Sequence, residues 1–327
     1  MDLVTGATGH IGNVLVRELL AQGRRVRALV LPGENRLHLL DLPIEIVEGN
    51  VLDGESLRRA MLGVEVVFHL AGVISILPGR NEKVRQINVE GTRNVINAAG
   101  EVGVRRVVYT SSIHALKRVP EGVLMDEQLP FDPHNPVGAY DRSKAEASLL
   151  VLEAVRSGLD AVIVCPTGVI GPFDFLGSEM GALISSWLRH GTSLVVDGAY
   201  DFVDVRDVAR GMILAAVRGQ AGKVYILSGE KVAINTLQEL VRSRAGMRPS
   251  SLKIPMKLAM FFANFTPLYC RLTGAKPRFT RYSLVTVTGN STISSARAQS
   301  ELGYAPRSLS DSIHDTVNWF LNRRLGN

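Results

Sequence analysis

Only two cysteines, Cys165 and Cys270, occur in 327 residues. That is too few for a disulfide framework and suits a reducing, cytoplasmic setting. Cys165 lies in an apolar run and reads as inert packing. Long apolar runs are also missing. The richest stretch, Ile254 to Leu272, is interrupted by Lys257, Asn264 and Pro267, so no clean run of ~18 residues exists and a transmembrane span is excluded. Core packing fits that stretch, as do a lid over an apolar substrate or a face docking on a membrane or a second subunit. No secretory leader is expected, because Met1 leads straight into an apolar strand. The net charge is +6 and the pI near 9.5, yet the basic residues are scattered and no basic stripe interleaves with aromatics. Nucleic acid is therefore not an expected partner. Internal repeats and low-complexity tracts are absent, and no metal site is expected.

What the chain does have is apolar material, 46% of its residues, arranged in an alternation. Strand-like runs at Val26–Leu31, Ile44–Val47, Val64–Leu70, Arg106–Thr110 and Ala161–Cys165 are separated by helical patterns. This predicts an α/β fold, a Rossmann-type doubly wound parallel sheet. The regular alternation fails after Pro172. The expected division is a dinucleotide-binding domain over 1–172, with 201–230 returning to the sheet through Val203–Val208 and Val224–Leu227. A smaller, mostly helical substrate-binding region would take 173–200 and 231–327.

Three separated pieces fit one reaction centre. The first is Thr5-Gly6-Ala7-Thr8-Gly9-His10-Ile11-Gly12, between the apolar pair Leu3-Val4 and a helical pattern at Ile11, Val14, Leu15 and Leu19. Gly6 permits the tight turn, Gly9 lets a pyrophosphate approach the backbone, and Gly12 lets helix pack close to strand. The helix start offers unpaired N–H groups and a partial positive charge to phosphate. The second piece is Arg105 to Ser112, an apolar strand whose tip carries Thr110, Ser111 and Ser112 at the end where open parallel sheets bind ligands. The third is Tyr140 and Lys144, one helical turn apart within Ala139–Arg156 and so on one face. Free tyrosine, with a pKa near ~10, is a poor base at neutral pH. The Lys144 ammonium is expected to lower it, while Ser112 orients a substrate oxygen.

Together these pieces resemble the extended short-chain dehydrogenase/reductase superfamily. Further segments extend the likeness over nearly the whole chain: Val67–Gly72, Asn88–Asn94, Cys165–Pro172, Phe202–Ala209 and Glu301–Pro306. The resemblance implies a Ser112–Tyr140–Lys144 triad moving a proton while a nicotinamide moves a hydride. It also implies cofactor contacts from Gly6, Thr8, Gly9, His10, Ile11, Gly12, Leu31, Arg36, Asn50, Val51, Leu70, Ala71, Gly72, Tyr140, Lys144, Pro166, Thr167 and Val169. The second strand ends at Val30-Leu31 without the acid that selects NAD, and Arg36 is placed to reach a 2′-phosphate, which tilts the expectation towards NADP(H) over NAD(H).

Within that superfamily, sugar-nucleotide epimerases tend to carry Val-Tyr-Gly after the serine and an asparagine where this chain has Gly168. Ser111-Ser112-Ile113 and Pro166–Pro172 instead resemble the dihydroflavonol reductase and 3β-hydroxysteroid dehydrogenase branch. The expected substrate is a small, partly apolar carbonyl or alcohol, with a nucleotide-sugar epimerase or dehydratase as the alternative and a homodimer as a possible assembly. His114 reads as a loop residue.

Overall fold

The computed structural model describes residues 1–75, 81–266 and 280–325. Cys270 and the end of the Ile254–Leu272 stretch lie outside them. In chain order the strands are β1 (Asp2–Thr5), β2 (Val26–Val30), β3 (Glu45–Glu48), β4 (Val66–His69), β5 (Arg106–Thr110), β6 (Ala161–Pro166), β7 (Gly168–Ile170), β8 (Ser193–Val196), β9 (Ala199–Asp204), β10 (Val224–Leu227), β11 (Glu230–Ala233) and β12 (Ser251–Ile254). β1, β4 and β6 are buried along their whole length, as strands covered on both faces must be.

Seven of them form one sheet in the order β10-β6-β5-β4-β1-β2-β3, and every pairing is parallel. The chain reverses its direction of winding between β1 and β4, so the crevice at their carboxyl ends is where a ligand is expected. Successive residues of each strand feed opposite faces. Val4, Ala28, Phe68, Val108 and Val164 pack with helices α1 (His10–Ala21) and α7 (Val205–Arg218). Leu3, Leu29, Val67, Val107 and Ile163 pack on the other side with α2 (Gly54–Met61), α4 (Gly91–Glu101) and α5 (Ala139–Arg156). A short helix, α3 (Glu82–Arg85), leads into α4 through one wide π turn, Gln86–Glu90.

The remaining strands pair away from that sheet. β11, β9 and β7 form a three-stranded sheet, and β12 pairs with β8. This corrects the expectation for 201–230, of which Val224–Leu227 does join the large sheet. Val203 pairs with Val169 instead, and Val205 to Val208 opens α7. The reason is local. The Asp204 carboxylate accepts the Arg206 N–H at 2.8 Å and caps a helix. Val205, Val208, Ala209 and Met212 then follow helical spacing, all buried. The C-terminal part adds α6 (Glu179–Arg189), α8 (Ile234–Arg244), α9 (Met256–Ala263), α10 (Arg281–Val287) and α11 (Leu309–Leu325). No helix among the described residues is long and apolar enough to cross a membrane.

Candidate active site

β5 ends at Thr110, and the next two serines diverge. Ser111 turns inward, its hydroxyl 2.7 Å from that of Ser148. Ser112, in extended backbone, caps the turn Ile113–Ala115 by accepting the His114 N–H at 3.2 Å. Tyr140 and Lys144 share the buried face of α5. Lys144 Nζ donates to the Thr110 carbonyl at 2.7 Å and lies 5.0 Å from the centre of the Tyr109 ring. Burial pulls the Lys144 ammonium down to about 8. Burial also pushes the Tyr140 phenol up to about 12, and Ser112 acts against that rise. The expected acidification of Tyr140 by Lys144 is thus not what the protein alone shows, because desolvation dominates and the ammonium is held by Thr110. Beneath them His69 bridges the hydroxyls of Thr5 at 2.8 Å and Thr92 at 3.1 Å. Burial, with the Lys144 charge, lowers His69 to about 3, so it stays neutral.

The glycine turn has the shape its sequence requires. Gly6 has φ +71°, and a Cβ there would sit 2.8 Å from the Ala71 nitrogen. A Cβ on Gly12 would collide with the Gly6 carbonyl oxygen, so α1 packs this close only through glycine. At Gly9 an added Cβ meets only the Gly6 oxygen, at 3.3 Å, and its outer side is open. Gly9 begins α1 with no side-chain cap, leaving first-turn N–H groups for an anion. Thr5 Oγ1 accepts the Leu70 and Ala71 N–H groups at 3.2 and 3.1 Å, which brings the loop after β4 against the turn. Asn88 holds the same loop, accepting the Val73 N–H at 2.7 Å and donating to the Val73 carbonyl and to Ser143 on α5. Gly72 fits closely there, since an added Cβ would lie 3.0 Å from Asn88 Oδ1. This set of glycines, open N–H groups and pinned loops fits a dinucleotide.

Other expected contacts are distributed less simply. His10 Nε2 reaches the Pro172 carbonyl at 2.9 Å, and Asn13 donates to that of Phe173 at 3.2 Å. They clamp a loop whose Phe173 has φ +67°, a strained value for a side-chain-bearing residue. Ile11 is half-buried on α1. Asn50 turns back on its own loop to accept the Leu52 N–H, and Val51 is buried against Gly91. Pro166 and Thr167 are buried at the end of β6, and Val169 follows on β7. Leu31 is exposed. Arg36 is paired with Glu48 at 2.8 Å.

One acid escaped the sequence reading. Glu34 folds back so that one carboxylate oxygen accepts the Thr8 hydroxyl at 2.6 Å and the other the Leu31 N–H at 3.0 Å. A negative charge therefore stands between the glycine turn and the end of β2, although Val30 itself carries none. The sequence signal was present in Glu34, but only the Pro32-Gly33 turn brings it back to β2.

On the opposite side of Tyr140 lies a second polar group that sequence spacing could not assemble. His114 Nε2 is 2.8 Å from the Tyr200 hydroxyl, and the two rings stack. Tyr282 of α10 donates to the buried Asp141 carboxylate at 2.6 Å. His114 sits half-buried in the turn after β5, as expected of a loop residue, with its ring held by Tyr200, and desolvation lowers its pKa. Gly168 is enclosed, with an added Cβ 2.9 Å from the Asp201 carbonyl and from the Tyr200 and Phe202 rings. A longer side chain does not fit at that position.

The NAD-dependent epimerase/dehydratase family model matches residues 3–228, a span that includes the glycine turn, Ser112, Tyr140 and Lys144. The chain belongs to this family. It is an NAD(P)-dependent enzyme of the extended short-chain dehydrogenase/reductase type. Sterol demethylase protein B of Methylococcus capsulatus is 37% identical over 324 residues, covering 98% of each chain. A putative dihydroflavonol 4-reductase of Synechocystis is 33% identical, covering 98% of this chain and 94% of its own. The crystal structure of gox2253 superposes with a TM-score of 0.86 at 35% identity, over 99% of this chain and 98% of that one. The family assignment matches the fold, since its glycine turn and serine-bearing strand tip both lie at the carboxyl edge of the parallel sheet.

Proposed function

We propose that the protein reduces a carbonyl, or oxidises the corresponding alcohol, on a small, partly apolar substrate through Ser112, Tyr140 and Lys144. The observation that carries this reading is that Tyr140 and Lys144 share the buried face of α5 at the tip of β5, where Lys144 Nζ donates to the Thr110 carbonyl two residues before Ser112. A bound nicotinamide would supply or take the hydride. Ser112 holds the substrate oxygen, and Tyr140 gives or takes its proton. A phenol raised to about 12 is protonated at neutral pH, the form a carbonyl reduction needs. Lys144 supplies a charge to the cofactor ribose once the site is filled.

An apolar substrate is favoured by two features near Ser112. A cavity of about 90 Å³ beside His114 has apolar walls from Ile113, Leu116, Val119, Met125 and Ile293, with Arg118, Tyr200, Thr286 and Asn290 as its polar lining. The enclosed Gly168 leaves no space for the asparagine that contacts the diphosphate in sugar-nucleotide epimerases. The sterol-demethylase relative points in the same direction. The test is a screen of ketones, aldehydes, sterols and sugar nucleotides for NAD(P)H consumption. Stoichiometric consumption with an apolar ketone is expected. A UDP- or dTDP-sugar epimerised without net consumption would transfer the site to the alternative reading.

The cofactor preference also reverses once Glu34 is placed. Its carboxylate suits ribose hydroxyls and repels a 2′-phosphate, while Arg36 is engaged by Glu48. We infer a preference for NAD(H). Glu34→Gln removes the charge and should improve NADP(H) affinity by about tenfold or more, with little effect on NAD(H) by calorimetry. Tighter NADP(H) binding by the unaltered chain would overturn this.

A further inference from the structure

Helix α9 carries its large side chains outward. Ala259 and Ala263 face the protein, in a small cluster with Val196 and Leu284. Leu258, Phe261, Phe262 and Phe265 are 46, 57, 59 and 53% exposed. Their spacing places them on one stripe, and the Phe261 ring packs edge-on against both Phe262 and Phe265. Beside the helix, Leu194 and Leu252 are register partners across β8 and β12, and both are exposed. They lie on the strand face of Val196 and Ile254, which pack in the α9 cluster. A globular surface does not ordinarily put small residues inward and phenylalanines outward. Grouped apolar exposure of this kind marks a contact face.

Charge indicates what covers it. Residues 240–300 contain ten Lys and Arg and no Asp or Glu. The rest of the chain holds 27 basic and 31 acidic residues and is net negative. Beside the stripe Lys253 is paired with Asp197 at 3.0 Å, and Lys257 and Arg281 leave this face net positive. Lys257 borders the phenylalanine stripe and Arg281 opens the neighbouring α10, both exposed. A second copy would bring the same cations to the same face and be repelled.

We propose that this face docks on an anionic lipid bilayer. The phenylalanines and leucines enter the headgroup–acyl boundary, while Lys257 and Arg281 sit among lipid phosphates. The surface stands independently of the oxidoreductase reading, because it is read by binding and not by turnover.

Flotation of the full chain with phosphatidylcholine vesicles, with and without phosphatidylglycerol, tests it. Binding is expected only with phosphatidylglycerol, and it should weaken as salt is added. The double substitution Phe261→Ser and Phe265→Ser should weaken binding by about tenfold or more, leaving the melting temperature and dinucleotide affinity unchanged. Lys257→Glu should cost about fivefold or more. Absence of binding to anionic vesicles, or unchanged binding by the double variant, would overturn the proposal. So would a dimer in size-exclusion chromatography, or a bound single-stranded oligonucleotide, that the double variant abolishes.

Discussion

Lys144 shows how a single buried group can set a pH limit. Burial lowers its pKa to about 8, so its charged form predominates at neutral pH and is lost as pH rises through that value. If the ammonium serves the cofactor ribose, turnover should fall on the alkaline side with an apparent pKa near 8. Tyr140, raised to about 12, remains a proton donor across the same range. A pH–rate profile under saturating substrate checks this, and a plateau up to pH ~10 would remove Lys144 from the role. Ser112, Tyr140 and Lys144 could be proposed from the sequence, because a serine at a strand tip and a Tyr-x-x-x-Lys turn are short-range patterns. Their protonation was not, since desolvation depends on what folds over the site. Glu34, His114 and Tyr282 show the same limit. Each acts through a partner placed by tertiary structure, 26, 86 and 141 residues away.

At the scale of elements, the β1–α1 unit is where sequence and structure agree most closely. Gly6 and Gly12 each have a separate spatial reason, local enough to be read from spacing, and Gly9 is proposed to leave room for phosphate. Gly9 lacks any close contact behind its outer side, so Gly9→Val should leave the fold intact while abolishing dinucleotide binding by calorimetry. Retained affinity in a folded Gly9→Val protein would show that phosphate does not approach there. The strands at β2, β4, β5 and β6 were found within a residue or two by their apolar runs. Val203–Val208 was misplaced because its alternation of valine with charged residues reads as a strand, whereas the strand ends at Asp204 and the Asp204 cap starts a helix at Val205.

Across the whole molecule, the large sheet brings the glycine turn, the β5 tip and the loop after β4 to one edge, while α10 closes the site from the C-terminal part through Tyr282 and Asp141. The proposed proton transfer converges on one hydroxyl, that of Tyr140. Replacing Tyr140 by Phe removes the proton carrier while keeping the ring and its packing. With a substrate identified by cofactor consumption, kcat of Tyr140→Phe should fall by roughly 10²–10⁴-fold, with dinucleotide affinity and melting temperature nearly unchanged. A Tyr140→Phe enzyme with near-normal kcat would contradict the proposed chemistry.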